Sequence, residues 1–153
     1  METISEFIDN VSEEQSSHTP EISRVIQAKL NNILSEMIEA CTEITGAMVS
    51  SSDGMAWAEK LPQGLDPNRF AAMSSAMLAL SDTMMKETQN TKPKNVFLEG
   101  DAGMIFIMHA GNNLLLTIFT IATKQIGMPL AHAKKASEEI SQLKLDVLSN
   151  HSD

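Results

Sequence analysis

Cysteine, basic residues and long apolar runs are all scarce in this chain. Its single cysteine, Cys41, has no internal partner for a disulfide, and with no basic stretch ahead of an apolar one near the N-terminus, a reducing cytoplasm is the expected compartment. The longest apolar run, 114–122, holds nine residues and two threonines, far short of the ~20 that a spanning helix needs, so membrane insertion is not expected. Eleven Lys and Arg face 20 Asp and Glu, giving a formal charge of −9 and a sequence pI of 4.8. Binding to phosphate backbones or anionic lipid requires a basic face, so this balance argues against nucleic acid and membrane surfaces as partners.

What remains is an ordinary globular composition. The 153 residues are 42% hydrophobic and 20% charged, enough for one domain with a sizeable core. The negative charge is uneven, because the first 23 residues carry six acidic side chains and no Lys or Arg. Residues 1–20, rich in Ser and Glu over 11–19, bury too little apolar surface to offset their ordering entropy. They are expected to form an acidic, flexible N-terminal tail, with 21–149 as the domain and 150–153 as a short C-terminal tail.

Beyond residue 20 the pattern turns helical. Ile22, Ile26, Leu30, Ile33, Met37, Ala40 and Ile44 recur at spacings of three and four, which predicts one helix of ~23 residues starting after Thr19-Pro20 and closed by Gly46. Asp53-Gly54 predicts a type I′ hairpin, with positive φ at both residues, between strands 47–51 and 55–59. Asp66-Pro67 is a cap followed by a first-turn proline and starts a second helix reaching about residue 88. Three strands, 95–99, 103–110 and 114–122, follow around the turns at 100–103 and 111–113. A last helix opens at Met128-Pro129 and carries the stripe Leu130, Ala133, Ala136, Ile140, Leu143 and Val147.

The last two strands show no polar alternation, so both faces of the sheet need covering. The predicted fold is an α/β three-layer sandwich of order α-β-β-α-β-β-β-α, a five-stranded antiparallel sheet with one helix on one face and two on the other. In the second helix Phe70, Met73, Met77, Leu80 and Met84 recur at three and four among Ala and Ser, with few charges before Asp82. A helix covering one side of a monomer should keep a polar face, and this one scarcely has one. Its stripe is therefore read as an interface. Val96, Phe97 and Leu98 pose the same question for the third strand, which is either an edge guarded by Lys92, Pro93 and Lys94 or a strand paired with a second copy.

Three blocks in this order, GAMVSSSDGMAWAEKLPQGLD (46–66), AAMSSAMLALSD (71–82) and VFLEGDAGMIFIMHAGNNLLLTIF (96–119), resemble the roadblock/LC7 domain over about residues 22–147. The resemblance implies small cytoplasmic proteins that dimerise, as homodimers or heterodimers, through the second helix and third strand into one continuous sheet. It implies no catalytic residues and no cofactor. Stand-alone prokaryotic members of the gliding-motility type regulate small Ras-like GTPases, and eukaryotic ones serve as dynein light chains and scaffold subunits. The expectation is thus a non-catalytic homodimer regulating such a GTPase, with a scaffold subunit or a small-ligand sensor as alternatives. Its interface residues are Arg69, Phe70, Met73, Met77, Leu80, Met84, Val96, Phe97 and Leu98.

Chemistry of the chain's own has little support in the pattern. His18, His109, His132 and His151 lack a second ligand at metal spacing, and His109 is expected to be a core or turn residue. Cys41 falls on the apolar stripe of the first helix, where a buried thiol is expected rather than a nucleophile. Gly100-Asp101-Ala102-Gly103 joins two strands beside Glu99, unlike a phosphate loop opening a helix. Arg69 is read as a surface residue near Asp66, with an arginine-finger role as the alternative.

Overall fold

The computed structural model describes residues 23–89 and 95–151, together with Ile4. The expected acidic tail and the guarding Lys92, Pro93 and Lys94 lie outside the described residues, Ile4 apart. The elements are α1 (Ser23–Ala40), β1 (Ile44–Ser51), β2 (Ala56–Lys60), α2 (Pro67–Glu87), β3 (Asn95–Glu99), β4 (Gly103–His109), β5 (Leu114–Ile121) and α3 (Gly127–His151). The sheet order is β2-β1-β5-β4-β3, and every neighbouring pair is antiparallel. β5 is therefore central, joining the β1–β2 hairpin to the β3–β4–β5 meander.

The expected α-β-β-α-β-β-β-α order and layering are found. α1 and α3 pack on each other and on one face of the sheet, and α2 lies on the other. β5 shows why both layers are needed. Leu114, Leu116 and Ile118 join the large core with Leu30 and Leu34 of α1, Phe106 of β4 and Ile140 of α3. The alternate position Leu115 joins a smaller cluster with Leu78 of α2 and Ile107, following the two-residue period of a strand.

Two local expectations are corrected. α1 ends at Ala40, not near residue 44: the Cys41 N–H donates to Met37 O at 3.1 Å, and Ile44 opens β1 opposite Thr120. Ile44 keeps the helical spacing because it is buried against the same core, 2% exposed, from a strand, and the β-branched Thr42, Ile44 and Thr45 suit that state. Gly46 is consequently not a helix cap. It lies inside β1, where a Cβ would meet Pro62 Cδ at 2.8 Å and Lys60 O at 2.9 Å.

The hairpin is also not type I′. Among the described residues only Gln89 combines a side chain with positive φ, so Asp53 does not, whereas Gly54 has φ 92°. Gly54 N–H donates to Ser51 O at 3.0 Å and Ser51 N–H to Met55 O at 2.8 Å. This is a three-residue loop with a left-handed third position, the other common solution to a tight hairpin. Asp53 serves instead as acceptor for the Ser51 hydroxyl.

Candidate interaction surface

α2 is built from both ends by local chemistry. The Asp66 carboxylate accepts from Asn68 N–H at 3.0 Å, Pro67 occupies the first turn, and Lys86 lies in the last, where each charge complements the helix dipole. Gln89, just past the end, takes φ 65°, the left-handed position that commonly closes a helix.

The side of α2 against the sheet is narrow and made of small residues. Ala71, Ala72, Ser74 and Leu78 are its buried positions. Ser74 Oγ accepts from Thr117 Oγ1 at 3.0 Å in the buried layer between helix and sheet, and Ser75 Oγ donates to the Ser52 carbonyl at the hairpin tip. Ser50 pairs with Leu115 on that same face, wholly buried, with its Oγ unpaired. Small and hydroxyl side chains let the helix sit close to the sheet. They leave its larger apolar residues nothing of their own to cover.

The expected interface residues separate accordingly. Leu80 is 57% exposed and Met84 61% exposed, Met73 and Met77 are half-buried, and Arg69 is exposed. Phe70 is held within the domain, its ring edge-on to Phe119 with centroids 5.4 Å apart. Among the described residues β3 is an edge strand that pairs only with β4. Val96 packs with Met77 against the cluster of Leu78, Ile107 and Leu115, and alternation puts Leu98 on the same face. Phe97 points to the opposite face, edge-on to Phe106 at 4.9 Å, and is 46% exposed. The structure thus brings Leu80, Met84, Val96 and Leu98 to one side of the sheet, with Phe97 across the same edge.

Ala76, Ala79 and Thr83 also lie on the exposed side of α2. Apolar-stripe reasoning passes over them because two are small and the third is polar. The signal for them is spacing, since they continue the turns set by Leu80. Elsewhere, His109 is exposed beside the turn that follows β4, Cys41 is buried, and the Gly100–Gly103 turn closes with a 2.8 Å backbone bond between two strands. On the far side of the sheet α1 and α3 leave a groove of about 140 Å³ edged by Glu36, His132, Lys135 and Glu139. No group of three or more His, Cys, Asp or Glu among the described residues is placed to hold a metal ion. No helix among them is long and apolar enough to cross a membrane.

Residues 30–120 match the model of the Roadblock/LC7 domain. The uncharacterized protein MJ0714 of Methanocaldococcus jannaschii is 24% identical over 119 residues, covering 78% of this chain and 99% of that protein. Among solved structures, the gliding protein MglB from Thermus thermophilus superposes with TM-score 0.70 at 18% identity, over 77% of this chain and 90% of that one. A structure described as MglB with tetrameric arrangement gives TM-score 0.71 at 17% identity, over 77% and 89%.

Proposed function

The chain belongs to the Roadblock/LC7 domain family, and from that premise we propose that it is a non-catalytic, homodimeric interaction module that binds and regulates a small Ras-like GTPase in the cytoplasm, in motility, polarity or signalling. One observation carries the reading. α2 sets Ala71, Ala72 and Ser74 against its own sheet and turns Leu80 and Met84 outward beside β3, an edge strand among the described residues that bears Phe97 and Leu98. Apolar surface so placed, continuous with open backbone groups, is what a second chain covers. The gliding protein and the tetrameric MglB supply this fold's context of motility and of assembly.

On this reading the protein acts by holding one state of the partner's switch loops rather than by supplying a reacting group. Arg69 is exposed at the start of α2 and belongs to the contact surface. The test is co-precipitation of the full chain with Ras-like GTPases of its own cell, each loaded with GDP or with a GTP analogue. State-dependent capture is expected. Failure to capture any of them in either state would overturn the GTPase assignment.

A further inference from the structure

The groove between α1 and α3 has the size of one aromatic ring. Its volume of about 140 Å³ compares with the roughly 150 Å³ of an apolar cavity that takes up benzene. Ile33, Met37 and Ala136 give it an apolar floor, Ala40 at the end of α1 also lines it, and His132 and Lys135 stand on the α3 side. Five of the six aromatic residues in the chain have a place in the fold: Phe70 with Phe119, Phe97 with Phe106, and Trp57 against the large core. The sixth is Phe7.

Phe7 belongs to a segment with two chemical sides. At about 100° per residue, a helix over 2–13 would set Ile4, Phe7, Ile8 and Val11 within about 100° of one another, and Glu2, Glu6, Asp9 and Glu13 within about 60° on the opposite side. A helix so short is marginal by itself in water, so its apolar side needs a surface to lie on. Anionic bilayers attract basic amphipathic segments, and this one has no Lys or Arg. An apolar groove in protein is the surface that fits. With its floor side buried, the acids stay in solvent, clear of Glu36 and Glu139 at the rim.

The connection has the right length. Val11 and Ser23, where α1 begins, are 12 positions apart, and a flexible chain of that length spans about 19 Å on average and ~40 Å at most. At 1.5 Å per residue, Ile33 to Ala40 lie about 15 to 26 Å along α1 from Ser23. A tether whose mean reach equals the span gives its end the highest effective concentration, on the order of millimolar, so an affinity of that order half-fills the groove. Ile4 is 78% exposed and is not seated there in this arrangement, so the contact is one the chain makes and releases.

We infer that the chain's own segment 4–11 docks in the α1–α3 groove with Phe7 on its floor, as a reversible cover on the face of the sheet opposite α2. The function proposed above does not enter the inference, because α2 lies across the sheet from this groove.

Paramagnetic broadening tests it on the full chain. In a Cys41→Ala background, a nitroxide on Ser5→Cys should broaden the amide signals of Met37 and Ala136 and spare those of Leu80 and Met84 across the sheet. Phe7→Ala should abolish the broadening. Ala40→Arg should abolish it too, because Ala40 is exposed and the change lays a long charged side chain in the groove; an unchanged far-UV circular dichroism spectrum shows that the domain is intact in both variants. A nitroxide that leaves Met37 and Ala136 sharp, or broadens them equally with Phe7→Ala, would overturn the docking. So would broadening that passes from a spin-labelled chain to an isotope-labelled one in a mixture, because the occupant would then be the segment of another copy.

Discussion

Gly103 and Gly127 look interchangeable in sequence and are not. A Cβ at Gly103 would lie 2.3 Å from the Thr120 carbonyl oxygen of the adjacent strand, whereas one at Gly127 meets nothing within 4 Å. Gly103→Ala should destabilise the chain by about 1–3 kcal/mol through forced backbone shifts. Gly127→Ala should be neutral or stabilising by a few tenths to about 1 kcal/mol, because it restricts only the unfolded chain. Urea unfolding of both variants checks the pair. Gln89 is the converse case: a side chain at φ 65° bears a steric cost of roughly 1–2 kcal/mol that glycine avoids. Gln89→Gly should raise the unfolding midpoint in the same assay. None of these constraints shows in local sequence. The turn around Gly103 is readable, but the proximity of Thr120 comes from strand pairing.

At the scale of elements, α2 is the informative one. Its limits were plain from Asp66-Pro67 and from the length of its apolar pattern, but which side faces the sheet was not, because alanines and serines carry little orientation signal. The buried bond from Thr117 to Ser74 settles the rotation. Ser74→Ala should cost about 1–3 kcal/mol by stranding the Thr117 hydroxyl. Ser74→Ala/Thr117→Val, which removes both partners, should cost less than the single change, since an unpaired buried group is penalised more than a lost bond. Chemical denaturation of the single and double variants measures the difference. α1 shows the opposite limit of pattern reading. Its period ran on through Ile44 because strand and helix bury residues against one core, and periodicity records burial rather than backbone state.

For the whole molecule, the sandwich stabilises the chain mainly through the core between the sheet and the α1–α3 layer. The α2 layer adds a smaller cluster of Leu78, Ile107 and Leu115, with Ala71 and Ala72 of the helix also buried. A charge placed on the outer side of α2 should therefore separate copies without unfolding them. Leu80→Asp is expected to give a monomer by light scattering with an unchanged far-UV circular dichroism spectrum, because Leu80 is 57% exposed within the protomer. A persistent dimer would remove Leu80 from the interface.

Local pattern alone specified the order of three helices and five strands, the antiparallel sheet and the excess of apolar residues on α2. Those properties follow from side-chain period and turn chemistry, which act over a few residues. Tertiary structure decided the rest: that β1 joins β5, that Phe70 is bound to Phe119 while Leu80 and Met84 are left uncovered, and that Val96 of β3 packs with Met77 of α2 on one cluster. Exposure belongs to the assembled layers and not to any one segment, since a residue is uncovered only when every other element of the chain has packed elsewhere.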